Sequence, residues 1–191
     1  EINYKHIDSI VAIYLIIDNK CFKVNLKHYL FFLVGLLMKH RGYFLLFLAL
    51  VLSDQFTKQI FMTSFELGQS MVINPYLSWT YLHNTGAAFS ILSDSGIIGK
   101  YFLLGVSILV SLWIIWWTQK TSTMHKQKLF GQFFLLSGAV GNLIDRALHG
   151  YVIDFIDLHA NSFYWPVFNL ADSFIFIGVA LIIFERKSNV E

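Results

Sequence analysis

The stretch Gly99–Trp117 is nineteen residues long, carries one charge, Lys100, near its start, and is otherwise almost wholly apolar. About twenty such residues in an α-helix cover the ~30 Å hydrocarbon core of a bilayer. Trp113, Trp116 and Trp117 crowd its far end, where aromatic rings favour the lipid–water boundary. A chain built around this stretch is best read as a membrane protein.

Composition agrees. Apolar residues make up 56% of the chain and charged residues 14%, against roughly 25% charged in an average soluble domain. Three further apolar runs predict membrane helices: about Gly42 to Phe61, Leu129 to Leu148, and Pro166 to Phe184. In the last, the proline takes the tolerated first turn. Lys39, Arg41, Lys120, Lys126, Lys128, Arg186 and Lys187 then fall on one side, whereas Lys58, Lys100 and Arg146 lie at or within helix ends on the other. The positive-inside rule places both termini in the cytoplasm. Within the longest polar connection, Met71–His83 is rich in Val, Ile, Trp and Tyr around Asn74-Pro75, which predicts short strands or a hairpin. The expected fold is an all-α polytopic membrane protein, with four transmembrane helices and a small outer β element and loop.

Residues 1–37 fit this plan badly. Their apolar runs, Ile10–Ile17 and Tyr29–Leu37, span eight and nine residues, too short to cross a bilayer. A cleavable signal peptide needs a small-residue site that is missing. Met38 opens MKHRGYFLLFLALVL, a basic flank ahead of an apolar helix. The expectation is a dispensable extension over 1–37, a membrane domain over 38–187 and a tail over 188–191.

Several chemistries lack their residues. A net charge of +2 is too weak to suggest nucleic acid, and Cys21 is the sole cysteine. Seven histidines are scattered with no HExxH. Neither a metal nor another cofactor is expected.

The acids are the unusual feature. Asp145, Asp154, Asp157 and Asp172 fall between Ser137 and Ser173, and Asp54 lies in the first predicted span. Charged carboxylates beside apolar runs are costly in lipid and mark function by default. At about 1.5 Å per helical residue, Asp172 lies ~9 Å beyond Pro166, Asp54 ~10 Å before Phe61, and Asp145 ~5 Å from its helix end. Asp54 and Lys58 share a helix face at i,i+4, and a plain ion pair accounts for that spacing. Asn169 and Asp172 share another at i,i+3. Asn142, Asp145 and Arg146 cluster beside Ser137, Gly138, Ala139 and Gly141, small residues that allow close helix packing.

Lys58 and Arg146 leave at least two of these acids unpaired. Two carboxyls sharing a site hold one proton between them over a usable pH range. The ionised one can deprotonate water while the protonated one polarises a peptide carbonyl. GxSxG is absent, and Cys21 sits in the doubtful extension. The main rival is a small transporter or channel subunit using the acids as an ion or proton relay. A relay needs polar groups strung through the membrane, whereas the inner halves of the second and fourth runs are almost wholly apolar.

At these residues the chain resembles the bacterial lipoprotein signal peptidases (signal peptidase II). The likeness covers Met38 to about Glu185 and rests on DQFTK at Asp54–Lys58, NTGAAFS at Asn84–Ser90, GNLIDR at Gly141–Arg146, VIDFID at Val152–Asp157 and PVFNLADS at Pro166–Ser173. The resemblance implies a four-span aspartic endopeptidase of the bacterial inner membrane, its site near the extracytoplasmic face. Such an enzyme cleaves prolipoprotein signal peptides before a diacylglyceryl-modified cysteine, and the family is the target of globomycin. By the same resemblance Asp154 and Asp172 match the catalytic pair. Asn84, Asn142, Asp145, Arg146 and Asn169 match the surrounding polar shell and Asp54 a structural position, and the i,i+4 spacing adds Lys58 to Asp54 as its structural partner. The family's outer strands form a cradle over the substrate, which agrees with the hairpin at 71–83. Membrane lipid and prolipoprotein are the implied partners of a monomer. His83 departs from the family, standing where many members carry arginine.

Overall fold

The structure, a computed structural model, describes residues 40–86 and 96–185. The extension with Cys21 and Met38, Ala87–Ser90 of the NTGAAFS motif, Arg186, Lys187 and the tail lie outside the described residues.

Among the described residues, four helices and four strands follow in the order α1 (Arg41–Ser64), β1 (Ser70–Asn74), β2 (Leu77–Asn84), α2 (Gly96–Lys120), α3 (Lys126–Leu148), β3 (Val152–Ala160), β4 (Phe163–Tyr164) and α4 (Leu170–Ile183). Among the described residues, α1 and α2 are long and apolar enough to cross a membrane. α3 has 23 residues, but Gln132, Asn142 and Asp145 interrupt its apolar sequence, and α4 has only 14. The helices are inside-out by the standards of a water-soluble core. Leu45, Leu52 and Phe56 of α1 face outward, whereas Asp54 and Lys58 of the same helix are buried. Lipid is the solvent that favours this arrangement.

α3 is central and touches each of the other three helices. Its approach to α4 depends on absent side chains. A Cβ on Gly138 would collide with the Ala171 carbonyl, and one on Gly131 would lie 2.8 Å from the Gly178 carbonyl. Small residues draw helices together where lipid supplies no hydrophobic drive between them. Gln127 of α3 also donates to the Leu181 and Phe184 carbonyls at 3.1 and 3.0 Å, satisfying acceptors that the end of α4 would otherwise leave open.

The β element is larger than the expected hairpin: an antiparallel sheet in the order β1-β2-β3-β4. The Asn74-Pro75 turn forms as predicted, with Asn74 Oδ1 accepting from the Tyr76 N–H at 2.8 Å. The segment VIDFID, which lies between the third and fourth predicted spans, is strand β3. Asp145 lies in the last turn of α3, which Gly150 terminates with φ of +83°, a left-handed conformation natural to glycine. The chain then runs extended beside β2. Phe61 of α1 stacks on Phe155 of β3 at 4.3 Å, and Tyr81 and Ile153 complete the core beneath the sheet.

The start of α4 also corrects the sequence reading. The helix begins at Leu170, not Pro166, because Asn169 is its N-cap and forms a reciprocal capping box with Asp172. Such a cap satisfies two orphan N–H groups at once. Pro166 belongs to the preceding segment, which Phe168 pins to Ile156 by a β-bridge. Asp172 is therefore in the first helical turn and not ~9 Å along the helix.

Candidate active site

β3 and the first turn of α4 present their acids to one cavity of about 480 Å³. Asp154 and Asp172 line it together with His83, Asn84, Asn142 and Arg146, and Leu82, Val152, Trp165 and Ile175 supply apolar wall. Asp154 sits opposite Leu82 in the strand register. A local pattern explains its direction: Val152 to Phe155 are all buried where β3 lies between β2 and the helices.

Three asparagines hold the two carboxyls. Asn84 donates to Asp154 Oδ2 at 2.9 Å and Asn169 to Asp154 Oδ1 at 2.6 Å. Asn142 donates to Asp172 Oδ1 at 2.8 Å, while the Asn169 N–H approaches Asp172 Oδ2 at 3.3 Å. Asn169 also donates to Asn142 Oδ1 at 3.2 Å. The two acids are thus joined through a continuous amide network, and each keeps an edge on the cavity.

Asp154 is only 3% exposed. Burial, and then the negative charge of Asp172, push its carboxyl up to about 7, against the opposing pull of the Asn84 and Asn169 hydrogen bonds and the Lys58 charge. Desolvation and a like charge both penalise the ionised form. Near neutral pH the pair can therefore offer one acid and one base.

Arg146 extends along the cavity wall, with guanidinium nitrogens 3.4 Å from Ser107 Oγ and 3.4 Å from the Gly86 carbonyl. His83 Nε2 lies 2.7 Å from the Tyr81 hydroxyl, and its ring stacks on Tyr151 at 3.8 Å. Burial lowers the His83 pKa, so the ring is neutral where an arginine would be charged.

Asp54, Lys58 and Asp145 are elsewhere. They form a buried ion cluster that does not line the cavity, Lys58 Nζ lying 2.9 Å from Asp54 and 2.8 Å from Asp145. Sequence spacing pairs Lys58 with Asp54, but tertiary packing adds Asp145, which the resemblance placed in the polar shell. Gln55, absent from the sequence-derived set, bridges the cluster by donating to Asp54 at 3.2 Å, Asp145 at 3.0 Å and the Gly141 carbonyl at 3.2 Å. The only signal for it is an amide three residues from Lys58 in an apolar run. Asp157 points elsewhere and accepts from Thr80 at 2.9 Å. No group of three His, Cys, Asp or Glu side chains suited to a metal occurs among the described residues.

This arrangement can be set beside known proteins. A family model described as "Signal peptidase (SPase) II" matches residues 46–186. A lipoprotein signal peptidase of Alteromonas mediterranea is 42% identical over 136 residues, 71% of this chain and 75% of the relative. One from Cupriavidus taiwanensis is 36% identical over 143 residues, 75% of this chain and 81% of the relative. Among solved structures, a bacterial membrane enzyme superposes with a TM-score of 0.68 at 33% identity, covering 78% of this chain and 94% of the other.

Proposed function

Because the chain belongs to the signal peptidase II family, we propose that it removes signal peptides from prolipoproteins, hydrolysing the peptide bond before a diacylglyceryl-modified cysteine. The observation that carries this reading is the amide-linked pair, Asp154 and Asp172, on one partly apolar cavity. The ionised carboxyl takes a proton from water as its oxygen bonds to the scissile carbonyl carbon. The protonated partner gives its proton to the carbonyl oxygen. When the tetrahedral intermediate collapses, the C–N bond breaks, the acid formed in the first step protonates the departing amine, and a hydroxyl of the intermediate returns its proton to the other carboxylate, which restores the singly protonated pair. Asn84, Asn142 and Asn169 orient the carboxyls, and Arg146 offers a positive donor beside the bound peptide. The apolar wall suits the substrate's acyl-bearing, lipid-embedded end.

All four helices cross the bacterial inner membrane in this reading, with both termini cytoplasmic and the sheet on the outer side. α3, at 23 residues, is ~35 Å long, and its polar side chains face the bundle instead of lipid. α4, at ~21 Å, is extended toward the outer face by the bridged segment before it. The working unit is residues 38–187, with 1–37 dispensable, and it acts as a monomer in contact with lipid and prolipoprotein.

The test is cleavage of a diacylglyceryl-modified prolipoprotein by the full chain in detergent. Asp154→Asn and Asp172→Asn should each abolish turnover while the protein remains folded. Turnover at the wild-type rate in either variant removes that residue from the chemistry.

A further inference from the structure

The buried cluster touches the backbone beside both acids of the pair. Asp54 Oδ1 accepts from the Ala171 N–H at 2.8 Å, and Ala171 immediately precedes Asp172. Asp145 Oδ2 accepts from the Ile153 N–H at 3.1 Å, and Ile153 immediately precedes Asp154. Lys58 bonds both cluster acids, and its ammonium donates as well to Asn142 Oδ1 at 3.1 Å. An ammonium has three donors. All three lead, by one further hydrogen bond each, to the two acids or to the backbone next to them.

The Asn142 contact has a second effect. An amide side chain can be turned end for end, exchanging donor for acceptor. A cation on Oδ1 excludes the reversed orientation, so Nδ2 must face Asp172, which it reaches at 2.8 Å. Stability alone does not account for such a device, since well-packed apolar residues commonly replace buried ion pairs without loss. Directed hydrogen bonds are what the ions add.

We infer that Lys58 is the positioning residue of this site, fixing the separation and orientation of Asp154 and Asp172 through Asp54, Asp145 and Asn142. This rests on the aspartic-pair reading above. Its electrostatic counterpart is measurable. Asp154 is faced by Asp172 from α4, Arg146 from α3, His83 from β2 and Lys58 from α1. Of these, the Lys58 charge favours ionised Asp154. Neutralising it moves the alkaline limb of activity to higher pH.

The experiment compares wild type, Lys58→Met and the double variant Asp54→Asn/Lys58→Met on the same lipoprotein substrate. The double variant keeps the cluster's net charge of −1, so it remains foldable if Lys58→Met is not. In each folded variant kcat should fall on the order of tenfold to hundredfold with KM within about threefold, the effect of misplaced reacting groups. The alkaline limb should rise in Lys58→Met and stay near its wild-type position in the double variant, whose cluster charge is unchanged. A folded variant with wild-type kcat and an unmoved limb overturns the inference, and so does failure of both variants to fold, which leaves the cluster a role in stability alone. Loss of turnover in Asp154→Asn and Asp172→Asn, measured alongside, keeps the aspartic-pair reading intact whichever way the Lys58 result falls.

Discussion

The side-chain amide of Asn169 lies 2.6 Å from Asp154 Oδ1, so the residue that caps α4 also grips the acid on β3. Its own Oδ1 accepts from the Asp172 N–H at 2.9 Å. One side chain thus starts a helix and ties the two acid-bearing elements together.

Serine at 169 separates those roles, because a hydroxyl caps a helix about as well as an amide but cannot reach Asp154. Asn169→Ser should stay within about 1 kcal/mol of wild type in thermal unfolding while losing most activity. Asn169→Ala should lose about 1 kcal/mol more as the cap disappears. Equal stability in the two variants would show that the cap contributes nothing.

The raised pKa of Asp154, about 7, carries a definite sign. Below that value the carboxyl is protonated and the pair holds one acid and one base. As pH rises through it the shared proton is lost, so kcat should decline on the alkaline side of pH 7. Asn84 stabilises the ionised form, so Asn84→Ala should move that limb upward. A downward shift in the kcat profile contradicts the hydrogen bond's assigned direction. The same shift links to folding: an acid whose folded pKa exceeds its ordinary 3.8 makes folding progressively less favourable as pH climbs from about 4 to 7.

Gly138 has no room for a side chain, since its Cβ would strike the Ala171 carbonyl one residue from Asp172. Gly138→Ala should destabilise the protein by about 1–3 kcal/mol, the usual cost of overpacking. It should also lower activity by displacing the start of α4. Thermal unfolding in detergent and the cleavage assay check the two effects separately.

Water activated by two carboxyls needs no metal. Incubation with a chelator should leave cleavage unchanged, and inhibition that is reversed by added divalent cation would contradict the two-carboxyl mechanism.

Local sequence determined much of this protein. The apolar run containing Trp113, the hairpin signal at Asn74-Pro75 and the i,i+4 pairing of Asp54 with Lys58 are all short-range facts, and each has its counterpart in the structure. The motif residues were legible too, because their order along the chain is itself the signature. Tertiary structure decided the rest. VIDFID carries no alternation that separates strand from loop, and it becomes β3 only because β2 offers it a partner. Pro166 marks a tolerable helix start, but the bridge to Ile156 and the Asn169 cap delay the helix to Leu170. Asp145 stands beside Arg146 in sequence, yet Lys58, 87 residues away, is its ion partner. Spacing along one helix reports which side chains share a face. Which charge a buried acid meets depends on another helix brought alongside, and for these helices that approach is set by glycines whose importance appears only once α3 and α4 touch.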